Sequence, residues 1–408
     1  MSRSHGVTCV RLTASSVREL DSFTGVEAGL TKAILMSFIR PNIESMAGYV
    51  PGEQPKEGEA VKLNTNENPY RASEKAYDAI RALAERGLSR YPNAVGQNFR
   101  KVAAELFGVE PDWIMCGNGS DDILTILTRT FVGENQLLRL PYPSYILYKS
   151  LAEIQGARSE EVYFLDDWRL PDYFSQAPAA APTAPYRVNP LEGGAASDSL
   201  KLVYLPNPNS PSGTVLSVEE VEKIANNLPC PLVVDEAYAD FAGMSCVELV
   251  KRNPRVLVSR TMSKSYALAG LRFGFLIARP EMIEQTLKVK DSYNCDSLSI
   301  AAATAALEDQ DWLKATTKKI ISTRERLQRK MRELGFIVPE SHANFTWNSW
   351  PSPDLSHEEL YLFLKSHGYL VRYMKYPAWG EGLRITVGTD EDTDACVDLV
   401  ARYLNGER

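Results

Sequence analysis

From about residue 64 onward, short apolar runs alternate with longer stretches whose apolar positions recur every three to four residues. The longer pattern has the period of an amphipathic helix and covers residues 75–86, 97–106 and 121–131. The short runs fall at 113–116, 201–205, 232–234, 256–258 and 273–278. Runs that do not alternate with polar residues suit strands covered on both faces, so the pattern predicts an α/β domain built on a mostly parallel sheet. A long helical stretch is expected over 281–334, followed by strands at 369–373 and 383–387 in a smaller α+β unit.

A chain of 408 residues exceeds the size at which one core stops growing, so two domains are expected. The boundaries read as 71–285 for a large domain and 286–408 for a small one, with 36–70 as an arm joining the small domain. Residues 1–35 are rich in Ser, Thr and Gly without periodicity and read as a disordered extension, with Met36 as an alternative start. Glu19, Asp21 and Glu27 do not suit a transit peptide, and the apolar stretch of a secretory signal is missing. Residues 176–199, dominated by Ala, Pro and Gly, read as a surface insertion.

Charge narrows the function. A net charge of −7 offers no basic surface for nucleic acid, and no apolar run is long enough to span a bilayer. The six cysteines are scattered without a CxxC pair, as in reduced cytoplasmic proteins, and the four histidines form no ligand-like cluster, so no metal is expected.

Four local patterns carry chemistry. Lys264 lies among small and hydroxyl residues, with Arg272 eight positions later. Burial would lower its pKa and free a neutral amine to attack an aldehyde, although a lone lysine is more often solvated. Asp235 ends an apolar run, where it either salt-bridges a protonated pyridine nitrogen or caps the next turn. The turn 117–122, Gly-Asn-Gly-Ser-Asp-Asp, leads into an apolar-periodic helix, whose first N–H groups would suit a phosphate. Arg372 and Arg384 occupy the polar faces of two expected strands and suit an anionic substrate as well as a solvated surface.

The order of these patterns resembles that of fold-type I pyridoxal-phosphate enzymes. More narrowly, Leu63-Asn-Thr-Asn-Glu-Asn-Pro69, Arg90-Tyr-Pro92, Pro206-Asn-Pro-Asn-Ser-Pro-Ser-Gly213, Asp235-Glu-Ala-Tyr238, Thr261-Met-Ser-Lys264, Leu268-Ala-Gly-Leu-Arg272 and Leu383-Arg-Ile-Thr-Val-Gly-Thr389 resemble the histidinol-phosphate aminotransferase family, over about residues 38–404. The resemblance implies an α/β fold-type I architecture and pyridoxal 5'-phosphate as cofactor, held covalently by Lys264, which would also act as general base. It further implies Asp235 at the pyridine nitrogen, Tyr238 at the ring oxygen and Tyr145 on the ring face. The backbone of Ser120 and Asp121 would hold the phosphate with Ser263 and Arg272, joined by Tyr91 from the partner subunit of a homodimer. Tyr49, Arg372 and Arg384 would hold small-molecule substrates, an amino donor and a 2-oxo acid acceptor.

The implied reaction is transamination between histidinol phosphate and 2-oxoglutarate in histidine biosynthesis. Alternatives are an aromatic amino-acid aminotransferase, a phosphothreonine decarboxylase of the same fold, or a non-catalytic effector-binding domain. One position departs from the family pattern: Ser210 stands where an asparagine usually contacts the ring oxygen, leaving Asn209, Ser210 or a water to make that contact.

Overall fold

The computed structural model describes residues 38–48, 52–55, 58, 60–178 and 200–407. The expected extension 1–35, Tyr49 and all but the first residues of the insertion 176–199 lie outside the described residues. Within 38–48 there is one short helix, Pro41–Ser45, opened by a proline in its first turn.

The rest of the description concerns residues after 48. Strand β1 (Val61–Lys62) precedes a seven-stranded sheet of β2 (Ile114–Gly117), β3 (Leu137–Tyr142), β4 (Arg158–Tyr163), β5 (Leu200–Pro206), β6 (Leu232–Asp235), β7 (Val256–Thr261) and β8 (Gly274–Ile277). Its spatial order is β2-β8-β7-β6-β5-β3-β4. Neighbours among β3 to β7 run parallel, and β8 runs antiparallel to both β7 and β2. The sheet is therefore mostly parallel, as the apolar runs predicted.

Both faces are covered. Leu232, Val234, Val256 and Val258 join one apolar cluster, and Val233 and Leu257 join another on the opposite face. Each such side chain withdrawn from water stabilises by about 2 kcal/mol, which selects for unbroken apolar runs over alternation.

Strands β3 and β4 escape the sequence reading because they carry charge inward. Arg139 is fully buried against Glu160 at 2.6 Å, and the same guanidinium donates to the carbonyls of Phe174 and Gln176. The expected helical stretch 281–334 is also corrected: it is three helices, Pro280–Leu287, Ser297–Leu307 and Gln310–Glu333. The first break falls in a polar segment, after which the Asp296 side chain accepts from Ser299 N and opens a new helix.

In the C-terminal part, β9 (Phe345–Asn348), β11 (Arg372–Tyr376) and β12 (Gly380–Thr386) form an antiparallel sheet in the order β11-β12-β9, and β1 pairs with β10 (Tyr369–Leu370). A third cluster, including Leu63, Leu327, Val371, Leu383 and Ile385, packs this unit. Thr386 N donates to Leu63 O, so the segment after β1 is stitched to the small sheet. Among the described residues no helix is long and apolar enough to cross a membrane.

Gly274 opens β8 where the chain must pass close to the 119–120 turn. A Cβ there would stand 2.6 Å from Ser120 N, 2.7 Å from the Gly119 carbonyl carbon and 2.9 Å from Arg260 O. All three neighbours are backbone, so none can rotate away. Gly274→Ala should therefore cost about 1–3 kcal/mol, read as a lower thermal unfolding midpoint, whereas Gly270→Ala, with open space around the added carbon, should not produce that loss.

Candidate active site

The site is built at the carboxyl ends of adjacent parallel strands. Asp235 closes β6, in register with Pro206 at the end of β5 and Ser259 in β7. Loops leaving these three ends carry Ser210, Tyr238 and Lys264. Carboxyl edges of open parallel sheets collect ligands because successive loops converge there.

Lys264 is held out of water. Its Nζ donates to the backbone carbonyl of Thr65 at 3.1 Å and stands 5.9 Å from the centre of the Tyr238 ring. Burial, reinforced by the positive charge of Arg384, lowers its pKa to about 8. The turn that carries it is anchored from beneath by Asp240, which accepts from Ser265 and from the buried Arg260. Asn68 Nδ2 donates to the carbonyls of both Lys264 and Ser265.

Asp235 is buried and lies between two donors. Tyr148 Oη donates to Oδ2 at 2.7 Å and Ala237 N to Oδ1 at 3.1 Å. Burial nevertheless dominates and raises its pKa to about 6. Its contact with Ala237 N is the turn-capping one of the two expected uses. Tyr238 is buried against Phe345, edge to face at 5.0 Å, and burial raises its phenol pKa, keeping the O–H protonated.

Around the Ser120–Phe131 helix start, the backbone leaves first-turn N–H groups with no acceptor inside the helix. Arg272 reaches this turn: its Nη2 stands 3.1 Å from Asp121 Oδ2 and its Nη1 donates to Ser263 Oγ at 3.4 Å. A Cβ on Gly119, at φ +84, would come within 2.7 Å of that guanidinium, so glycine is what permits the approach. Helix N–H groups, two serines and an arginine form a donor set that fits the phosphate of the expected cofactor. Tyr145 Oη donates to Asp121 Oδ1, which places its ring beside this cradle.

Arg372 and Arg384 are direct cross-strand partners in β11 and β12. Arg384 donates from Nη1 to Ser210 Oγ at 3.0 Å and from Nη2 to Asn64 O at 2.9 Å, with its guanidinium over the Phe345 ring. The open question at Ser210 thus gains a partner: its hydroxyl is tied to the arginine. Asn209 Nδ2 donates to Ser212 Oγ within its own loop and to Pro143 O just past the end of β3.

Tyr91 is 81% exposed and stacks on Tyr293 at 4.5 Å, on the surface. Three residues close to the site were not anticipated. Tyr148 lies one helical turn beyond Tyr145, a spacing that would have flagged it had the Leu147–Gln155 helix been recognised. Thr65 and Asn66 lie inside a quoted motif, but their contacts are made across 199 and 172 residues, which no local pattern reports.

With this geometry in view, the comparisons with known proteins are informative. The family model for aminotransferase class I and II matches residues 59–400, and the chain belongs to that family. Within it, the chain is 50% identical over 366 residues to histidinol-phosphate aminotransferase of Rhodopirellula baltica, covering 90% of this chain and 95% of that protein. It is 41% identical over 360 residues to the histidinol-phosphate aminotransferase of Geotalea daltonii, covering 88% and 97%. The fold is shared with histidinol-phosphate aminotransferase from Sinorhizobium meliloti in complex with pyridoxal 5'-phosphate, at a TM-score of 0.74, 24% identity, and coverage of 90% and 98%.

The buried carboxylate sets a testable trade-off. A folded pKa raised above the ordinary value means that Asp235 stabilises the cofactor-free fold least once pH exceeds about 6, where it is forced to ionise while buried. Asp235→Asn should stabilise the cofactor-free protein at pH 7.5 by up to about 3 kcal/mol, and the gain should vanish toward pH 4. Thermal melts of both proteins across that range check the sign.

Proposed function

We propose that this chain is a pyridoxal 5'-phosphate-dependent aminotransferase that moves an amino group between histidinol phosphate and 2-oxoglutarate, giving imidazole acetol phosphate and glutamate, as in histidine biosynthesis. The observation that carries the reading is the buried Lys264 amine, resting on a carbonyl and beside Arg384 at the edge where Asp235 ends its strand. The names of the curated relatives supply the amino donor.

Bound here, the cofactor supplies an electron sink for the substrate's α-carbon. Lys264 would hold it covalently and, when displaced, Nζ would take the α-proton and return it, which an amine with a pKa near 8 does in both directions near neutrality. The Asp235 carboxylate would keep the pyridine nitrogen protonated, a cation that in turn relieves the cost of burying Asp235. Tyr238 would donate to the ring oxygen and Tyr145 would pack the ring face. The backbone N–H groups of Ser120 and Asp121, with Ser263 and Arg272, would hold the phosphate.

Arg384 would take the anionic end of each substrate, oriented by Ser210 and the Asn64 carbonyl, and Arg372 would serve beside it. The family resemblance assigns Tyr49 to the same substrates. The exposed Tyr91 suits a role at the phosphate of a second copy, so we assign a homodimer. The five described cysteines are unpaired, which supports the cytoplasm as its compartment.

Two measurements test the reading. In a panel of histidinol phosphate, phenylalanine, tyrosine and phosphothreonine, histidinol phosphate should give the fastest transamination and Lys264→Ala none; a faster aromatic rate, or carbon dioxide from phosphothreonine, would refute the substrate. Cofactor capture by the cofactor-free protein needs the neutral amine, so its rate should climb as pH rises through about 8 and then level off. Replacing Arg384 by alanine removes a neighbouring cation and should move that climb to higher pH.

A further inference from the structure

The segment 63–69 enters the functional reading as a motif without a role. Its contacts are specific. Asn64 O accepts from Arg384, Thr65 O accepts from Lys264 Nζ, and Asn68 Nδ2 holds the Lys264 and Ser265 carbonyls. Between them, Asn66 is 1% exposed and adopts a left-handed backbone at φ 57, which asparagine tolerates better than other residues with a Cβ.

Every polar group of Asn66 has a partner. Its N–H donates to Thr386 Oγ1 at 3.0 Å, and that hydroxyl donates back to Asn66 Oδ1 at 3.1 Å. Asn344 Nδ2 donates to its carbonyl. Its remaining group, Nδ2, donates to Tyr238 Oη at 2.9 Å. The Thr386 hydroxyl accepts the backbone N–H and gives its single proton to the amide oxygen, which turns the amide nitrogen toward Tyr238.

We propose that Asn66 is a positioning residue for Tyr238: its amide occupies the phenol oxygen as an acceptor, committing the phenol's own proton to the ring oxygen of the cofactor. The proposal rests on the pyridoxal-phosphate reading above. It also explains why the arm is laced to the small sheet, since Thr386 lies two residues after Arg384 on β12 and orients the amide that orients the phenol. A reversed amide would present oxygen to Tyr238 and draw the phenol proton away. The Thr386 hydroxyl, by donating to Asn66 Oδ1, favours the orientation with nitrogen toward Tyr238.

Asn66→Asp is the sharpest test, because it preserves size and the preference for left-handed backbone while offering oxygen where nitrogen stood. In the cofactor-bound protein, the readout is the pH midpoint at which the bound cofactor's visible absorption passes from its long-wavelength to its short-wavelength form. A donor to the ring oxygen stabilises the more negative, high-pH form, so losing it raises the midpoint. Asn66→Asp should raise it by about half a unit to one unit, the effect of one neutral hydrogen bond. Asn66→Gly keeps the left-handed backbone, deletes the amide, and should raise it by less.

Tyr238→Phe should raise the midpoint as well, and adding Asn66→Asp to it should produce no further rise, because the two act through one proton. Unchanged midpoints in both Asn66 variants beside a shifted Tyr238→Phe would overturn the role of Asn66 alone, even if thermal stability fell. A fully additive double variant would overturn it too. A wild-type protein with no visible band in the presence of pyridoxal phosphate would overturn the underlying reading together with the proposal.

Discussion

A half-buried amine with no carboxylate at contact distance among the described residues is the constraint on which the site depends. Lys264 Nζ rests on the Thr65 carbonyl, and burial with Arg384 nearby brings its pKa down to about 8. A carboxylate in direct contact would hold the amine charged and inert, whereas a carbonyl satisfies one N–H without adding a full negative charge. The arrangement works only if the carbonyl, the loop carrying Lys264 and the strand carrying Arg384 keep their separations.

Three parts of the chain share that task. The parallel strands lie in register at Pro206, Asp235 and Ser259, with β7 running on to Thr261, so loops from β5, β6 and β7 start from a rigid edge. The small antiparallel sheet pairs Arg372 with Arg384 and sets both on one short ribbon. The segment 63–69 runs between them, bonding to Arg384, Lys264, Tyr238 and Thr386 in five consecutive residues. A displacement of this segment would disturb the amine, the phenol and the arginine together.

Burial serves reactivity at a cost in stability. Asp235 has its pKa raised to about 6 although Tyr148 and a backbone N–H both donate to it, because two hydrogen bonds do not replace hydration of a buried charge. The same imbalance favours any cation that reaches it. Tyr148 is itself stacked on Tyr204 at 4.7 Å, and Tyr204 Oη donates to the Leu124 carbonyl, so the donor to Asp235 is fixed by the core of the sheet.

Sequence alone determined the covered parallel sheet, since apolar runs such as 232–234 have one stable use, and it singled out Lys264, Asp235 and Arg272 as candidates, because their motifs are local and ordered along the chain. It could not reveal β3 and β4, where the buried Arg139 and Glu160 neutralise each other across strands and so imitate a surface pattern. Nor could it split the stretch 281–334, whose helix-forming composition hides an Asp296 cap until the backbone turns. Only the tertiary structure decided that Ser210 binds Arg384, that Asn209 reaches Pro143, and that Asn66 and Tyr148 stand behind Tyr238 and Asp235. Those contacts join residues far apart in the chain, and a hydrogen bond depends on distance and direction in space, which neighbours in sequence do not encode.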